Sequence, residues 1–210
     1  MLLNNRTHII GITGGSGSGK SFLCKQIVNK INKNEILIIT VDSYYKDLSD
    51  IEFEEREKNN FDHPISIEFN LLYNHLLRIK QNKPVDIPIY DYKRHTRKKE
   101  AKSINKRYSL ILLEGIFSLY DKKVREIIDN SVFIDIPDRI RKERRIIRDT
   151  KNRDRTVNSI INQYDNMVVP MFEKYIKPMK EKSDIIIKKF EQNDIGYSKL
   201  MQEIQKIINA

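Results

Sequence analysis

The stretch Gly14-Gly15-Ser16-Gly17-Ser18-Gly19-Lys20-Ser21 constrains this chain more than any other, because it fits the pattern G-x-x-x-x-G-K-[ST]. An apolar run from His8 to Thr13 precedes it and is long enough for a buried strand, and Phe22, Leu23, Ile27, Val28 and Ile31 follow at helical spacing. Strand, glycine-rich loop and helix, in that order, form the context in which the pattern has a mechanism. Glycines let successive backbone N–H groups converge on a phosphate, and the helix N-terminus adds positive potential. Lys20 then reaches the β- and γ-phosphates, and the Ser21 hydroxyl faces Mg²⁺. The bland alternative is a flexible Gly/Ser turn that happens to precede a helix. In this context the motif predicts a bound nucleoside triphosphate, and the rest of the chain must indicate what receives its phosphate.

The pattern beyond the loop alternates strand and helix, which predicts an α/β fold: a parallel sheet flanked by helices. Glu35–Val41 reads as a strand buried on both faces and ends at Asp42. The polar stretch 47–57 reads as partly helical, and residues 60–64 read as a loop. A helix is predicted from Ser66, its N-cap, to about Asn82. Residues 85–90 look like an edge strand, and with the polar, basic stretch that follows they predict a projecting hairpin at about 84–106. Ser109–Ile116 is a further buried strand, ending at Glu114, followed by a short helix, 119–129, and another strand, 131–137. An Arg-rich helix is predicted over 140–149 and a long helix over 156–175. A last strand spans 184–187 and a terminal amphipathic helix 195–208. In such sheets ligands bind beyond the carboxyl ends of the strands, so the loop after Thr13, Asp42 and Glu114 are expected to face one crevice.

Length and charge set bounds. The chain has 210 residues, which suits one domain, residues 1–210. Lys and Arg number 39 against 29 acids, a formal charge of +10. That balance raises a nucleic-acid reading, but most basic residues are interleaved with acids, and an anionic nucleotide would use part of the charge. Nucleic acid is therefore not the expected partner. Cys24 is the lone cysteine, so neither an internal disulfide nor a zinc site is expected. With no run of membrane-spanning length and nothing resembling a signal peptide, the expectation is a soluble, cytoplasmic protein with no membrane partner.

Phosphoryl transfer needs positioning, charge neutralisation and a group that takes the acceptor's proton. Asp42, at a strand end, can accept a hydroxyl proton or help hold Mg²⁺; equally, it can be a capping or solvated acid. Glu114 occupies the kind of strand-end position from which an acid reaches the metal. Residues 139–156 carry many arginines, either a solvated helix face or a lid closing over the triphosphate. Arg141, Arg144, Arg145 and Arg148 share a face of that helix. His95 lies in Tyr90-Asp91-Tyr92-Lys93-Arg94-His95-Thr96-Arg97, where rings and polar side chains can hold a planar base; alternatively this is an exposed hairpin tip.

Several stretches together resemble the uridine kinase (uridine-cytidine kinase) family, within the P-loop kinases that also include phosphoribulokinase and bacterial pantothenate kinase. They are GITGGSGSGKS at 11–21, DSYY at 42–45, NFDHP at 60–64, IPIYDYKRHTR at 87–97, LLEGI at 112–116 and RRIIRDTKNRDR at 144–155. The resemblance implies ATP- or GTP-dependent phosphorylation of the 5′-hydroxyl of uridine, and of cytidine, with Mg²⁺. It implies Asp42 as base and metal neighbour, with Lys20 neutralising charge and Ser21 and Glu114 completing the metal's surroundings. It implies Asp62 on the ribose hydroxyls, assisted by Arg145. Tyr90 and His95 would read the pyrimidine edge, Phe61 and Tyr92 would pack on the base, and Tyr45, Arg155 and Gln163 would line the pocket. Arg148 and Arg153 would be lid arginines at the phosphates. The family also implies a homo-oligomer, a tetramer. The chain departs from the family in having Asp154 where Arg-Gly-Arg is usual, and Lys177 where Glu is usual. The alternatives are a related kinase acting on a sugar phosphate or pantothenate, and a non-catalytic nucleotide- or RNA-binding module.

Overall fold

The computed structural model of the chain describes residues 6–31, 35–153 and 155–209. Seven strands are present among them: β1 (His8–Gly14), β2 (Ile36–Thr40), β3 (Val85–Asp91), β4 (Thr96–Ile104), β5 (Leu110–Glu114), β6 (Asn130–Ile134) and β7 (Ile185–Ile187). Five of them form one parallel sheet in the order β2-β5-β1-β6-β7. β5 is buried at every position, as its unbroken apolar run requires of a central parallel strand. β3 and β4 pair antiparallel in a two-stranded sheet of their own.

Successive strand residues face opposite sides, and two cores result. Ile9, Leu37, Ile39, Ile111, Leu113 and Phe133 point to one face. Ile10, Ile12, Leu110, Leu112, Val132 and Ile134 point to the other. The second face is covered by α1 (Lys20–Lys30), through Leu23, Cys24 and Ile27, and by the terminal helix, Ile195–Ile208, through Tyr197, Leu200 and Ile204. The buried Cys24 thiol has its pKa raised by desolvation and packs as a small apolar residue. The first face carries α3 (Phe69–Lys80), the hairpin and α4 (Lys122–Glu126), with Leu72, Leu76, Ile87 and Tyr90 among its buried residues; a short helix α2 (Phe53–Glu57) has no buried residue. The remaining helices are α5 (Asp138–Arg153), α6 (Val157–Gln163), a single turn α7 (Val169–Met171) and α8, the terminal helix.

The short helix predicted over 119–129 covers only Lys122–Glu126, the strand predicted over 131–137 ends at Ile134, and three further boundaries differ more consequentially. Ser66 is not an N-cap: its hydroxyl donates to the His63 carbonyl within a 3₁₀ turn, Pro64–Ser66, and α3 begins three residues later. The intervening backbone is drawn into extended contact with the loop after β2, with Lys46 N–H donating to Ser66 O and Glu68 N–H to Tyr44 O. The long helix over 156–175 is broken by two π turns, Tyr164–Val168 and Phe172–Ile176. They flank Pro170, which has no N–H to give and crowds the preceding turn. α5 (Asp138–Arg153) is longer than the predicted 140–149, and its buried stripe is charged: Arg141, Arg145 and Asp149.

The sheet register fixes the site. Glu114 pairs with Ile12 on one side and Thr40 on the other. Three chain segments therefore leave the sheet at one level: the loop after β1, the 3₁₀ turn Val41–Tyr44 that carries Asp42, and the carboxyl end of β5.

Candidate active site

The Gly14–Ser21 loop wraps toward the N-terminus of α1. Gly17 has φ 80° and Gly19 φ 97°, a left-handed backbone that side chains disfavour. A Cβ on Gly17 would stand 2.2 Å from the Arg141 carbonyl oxygen, so the loop needs glycine there on both counts. Lys20 Nζ donates to Gly14 O at 2.9 Å and to Gly15 O at 3.1 Å. Burial lowers its pKa to about 8, against the opposing pull of Glu114 and Asp42. Ser21 Oγ donates to Glu114 Oε1 at 2.9 Å. Burial raises the Glu114 pKa; Lys20 offsets this in part, and the nearby Asp42 charge adds to it.

Glu114, with the Ser21 hydroxyl on it and the Asp42 charge nearby, could take part in holding a cation only with further ligands. Among the described residues no cluster of three or more His, Cys, Asp or Glu could hold a metal alone. The chemistry fits Mg²⁺, which characteristically takes one or two carboxylates and completes its shell with water and substrate phosphate.

α5 lies against the same loop. Arg141 is buried, donates to Ile136 O and Asp138 Oδ1, and stacks its guanidinium 3.9 Å from the Phe172 ring centroid. Its Nη1 has no hydrogen-bond partner and abuts Gly15. Arg144 Nη1 donates weakly to Ser18 O at 3.4 Å. Arg145 is also buried: Nη1 donates to Ser16 Oγ at 3.0 Å, Nη2 donates to Gln163 Oε1 at 3.0 Å, and both face the Asp62 carboxylate at 3.5 Å. Arg155 shares Gln163 Oε1 and donates to Ser159 Oγ. Arg148 Nε donates to Asp149 Oδ1 at 2.7 Å, and Asp149, fully buried, also stands 3.5 Å from Arg145 Nε. The side chain of Arg153 and all of Asp154 lie outside the described residues.

An aromatic cage stands on the far side of Asp62. Tyr45 packs on Phe61 (centroids 5.1 Å) and on Tyr90 (5.2 Å), and its hydroxyl donates to Phe61 O. Phe61 stacks on His95 at 5.0 Å and 17°. Tyr92 meets Tyr90 edge-on at the exposed rim. Tyr90 is 6 % exposed, and its hydroxyl is buried with no hydrogen-bond partner; burial pushes its pKa up. Leaving such a group unpaired costs ~1–3 kcal/mol. His95 has φ 52°, a conformation that costs a non-glycine residue ~1–3 kcal/mol. Strain and an orphaned hydroxyl meet in one cage.

A third feature lies outward from the loop: a cleft of about 300 Å³ lined by Gly19, Phe22, Arg144 and Phe190. Phe22 is 55 % exposed, and the two rings stand 6.0 Å apart.

The structure thus gathers Lys20, Ser21, Asp42 and Glu114 at the strand ends, and Tyr45, Phe61, Asp62, Tyr90, His95, Arg145, Arg155 and Gln163 beside them. Asp149, Phe22 and Phe190 escaped the sequence reading as candidate site residues, and Arg141 entered it only as one arginine of the possible lid helix. The i,i+4 pair Arg145–Asp149 and an apolar Phe22 directly after the Lys-Ser pair were the available signals. Phe190, in a polar stretch, gave none.

A profile of the phosphoribulokinase / uridine kinase family matches residues 9–196. A uridine kinase of Staphylococcus epidermidis is 40 % identical over 205 residues, covering 98 % of this chain and 99 % of its own length. A uridine kinase of Clostridium novyi is 41 % identical over 204 residues, covering 97 % and 98 %. Among solved structures, phosphoribulokinase from Rhodobacter spheroides superposes with a TM-score of 0.63 at 14 % identity, covering 88 % of this chain and 71 % of that one. D-glycerate 3-kinase from Cryptococcus neoformans gives 0.60 at 17 %, covering 81 % and 79 %. These likenesses concern the fold. With the family profile matching residues 9–196 and about 40 % identity to these relatives over nearly the full length, the chain belongs to the phosphoribulokinase / uridine kinase family.

Proposed function

We propose that the protein is a uridine kinase, transferring the γ-phosphoryl group of ATP or GTP to the 5′-hydroxyl of uridine, and of cytidine, to give UMP or CMP. The unpartnered Tyr90 hydroxyl carries the choice of acceptor: buried in an aromatic cage next to Asp62, it lacks the polar partner that a nucleobase edge supplies. The sequence relatives named uridine kinase support the same reading. A sugar-phosphate acceptor would need a free cation at that end. The cage is instead aromatic, the neighbouring Arg97 is paired with Glu68, and Arg145 is already balanced by Asp62 and Asp149.

In this reading the phosphates lie on the 14–21 loop with Lys20, and the donor base enters the Phe22–Phe190 cleft. Ribose hydroxyls donate to Asp62, and the 5′-oxygen attacks the γ-phosphorus in line. The new bond is O5′–P; the bond to the β–γ bridging oxygen breaks, and the hydroxyl proton passes to Asp42. Ser21, Asp42 and Glu114 would hold Mg²⁺, which supplies charge neutralisation on the phosphate oxygens. Arg141, with its unused Nη1 at Gly15, and Arg144 are placed to meet phosphate charge. Arg148 holds Asp149 through Nε while its charge already acts on Lys20 and Asp42, so it too is placed to meet phosphate charge. Cytoplasmic residence and assembly into a tetramer belong to the same proposal; no helix among the described residues is long and apolar enough to cross a membrane.

ADP release with a panel of acceptors tests the reading. Uridine and cytidine should turn over, whereas ribulose 5-phosphate, pantothenate and RNA should not stimulate release. Deoxyuridine should be poor, because Asp62 would lose a donor. Asp42→Asn should lower kcat by about 10²–10⁴ while ATP still protects the protein against unfolding. Turnover with ribulose 5-phosphate alone would overturn the assignment.

A further inference from the structure

One carboxylate fastens the loop after β2 to the hairpin. Asp47 Oδ1 accepts from the Thr96 hydroxyl and from the Arg97 backbone N–H at 3.2 Å. On its own loop it accepts from Ser49 N–H at 3.2 Å and Ser49 Oγ at 2.9 Å, which fixes the side chain as an Asx turn. Arg56 adds a strut: Nη1 donates to Arg94 O at 3.2 Å and Nη2 to Ser49 O at 3.0 Å. Arg94 and Thr96 flank His95, whose backbone is in the left-handed region. The placement of that ring on Phe61 therefore depends on residues of another loop.

That other loop is the one that carries Asp42. The two ends of a nucleoside are contacted from separate peptides: the reacting hydroxyl from the turn after β2, the base from the hairpin. The hairpin is not hydrogen-bonded into the five-stranded sheet. Its body is anchored by buried Ile87, Tyr90 and Ile104 and by the Arg97–Glu68 ion pair at 2.6 Å. Its turn, residues 92–95, is shaped locally by Asp91, whose Oδ1 accepts from the Lys93 and Arg94 N–H groups at 2.9 and 3.1 Å, and is tied to the neighbouring loop through Asp47 and Arg56.

We propose that Asp47 is a positioning residue that sets the distance between Asp42 and His95 and so aligns the nucleoside for attack. This rests on the reading of His95 as a nucleobase contact. The Asp47 carboxylate suits a constant role: the Thr96 hydroxyl and the other hydrogen bonds, partly opposed by desolvation, lower its pKa to about 2, so it stays charged throughout the working range. It is also exposed, so its loss should move the hairpin turn without dismantling a core.

Steady-state kinetics on Asp47→Ala, Thr96→Val, His95→Ala and the double variant Asp47→Ala/His95→Ala test this, with uridine and ATP varied separately. Asp47→Ala and Thr96→Val should each raise KM for uridine about tenfold, since misplacement by about an ångström is enough, and leave KM for ATP within about twofold. The double variant should be no worse than His95→Ala, because the first change acts through the second residue. Thr96→Val removes one hydroxyl and keeps the β-branched strand residue, so it carries the test even if Asp47→Ala folds poorly. The proposal is overturned if KM for uridine stays within about twofold in both single variants, if the effects multiply in the double variant, or if KM for ATP rises in step. A wild-type protein inert toward uridine but active on another acceptor would overturn the functional reading first.

Discussion

Lys20 is a cation placed where water is scarce, before its anionic partner arrives. Burial lowers its pKa from 10.5 to about 8. Between those values the unfolded chain binds more protons than the folded one, so the stability linked to this group rises with pH across that window. Triphosphate binding acts in the opposite sense, since its charge favours the ammonium form. Affinity for ATP should therefore hold from about pH 7.5 to about 8 and then fall, approaching tenfold per pH unit. Binding near pH 8.5 should take up a proton, visible as a heat that depends on the buffer's ionisation enthalpy. Affinity flat to about pH 9.5 would mean that Lys20 is charged before ATP arrives. At this scale the sequence was legible wherever chemistry forces both residue type and position. Lys20 and Ser21 follow from the loop pattern; Asp42 and Glu114 stand at the ends of apolar runs. Asp149 was not legible, because a buried acid inside a highly charged helix looks like one more solvated side chain. Only the fold reveals that it sits between Arg145 and Arg148.

Among elements, the contact between α5 and the Gly14–Ser21 loop would carry the donor side of the proposed site. Arg141 presses its backbone carbonyl on Gly17 and its guanidinium on Gly15, while Arg145 holds Ser16. Gly17→Ala would place a methyl group 2.2 Å from that carbonyl, so loop or helix must move, and the residue keeps an unfavourable φ. Thermal-shift titration should show ATP protection largely lost, with the ligand-free melting temperature lowered by several degrees, as ~1–3 kcal/mol of strain requires. Unchanged ATP protection would mean that the loop binds phosphate without α5 against it. α5 was recognisable as a helix, but its buried face was not. Periodicity seeks apolar stripes, and here Arg141 and Arg145 are buried while Ile147 is 67 % exposed. The start of α3 failed for a related reason: Ser66 has a capping residue's chemistry, but the loop after β2 claims that backbone first. The hairpin was readable from the alternation and prolines of 85–90 and the polar stretch after them; that Asp47 ties the hairpin's turn to another loop was not, because residues 47 and 96 meet only in three dimensions.

For the whole molecule, the alternation of apolar strands with helices determined the fold class, and the separation of two cores by one sheet follows from strands that are apolar on both faces. The order β2-β5-β1-β6-β7 does not follow from alternation, since any parallel arrangement buries the same runs. Charge also acts at this scale. The chain carries +10, and in the proposed reaction one substrate is a polyanion and the other is neutral. The field of the molecule then favours the donor alone. Raising KCl from about 0.05 to 0.5 M shortens the Debye length from more than 10 Å to less than 8 Å. KM for ATP should rise several-fold, at fixed excess Mg²⁺, while KM for uridine stays within about twofold. Parallel rises would place the salt effect on the fold rather than on the donor. An RNA-binding module would behave differently: its affinity for RNA would fall by orders of magnitude over the same range, through release of many counterions, and uridine would show no saturable site. The basic composition is thus a feature that two classes of function share, and the salt dependence of a neutral acceptor against an anionic donor separates them.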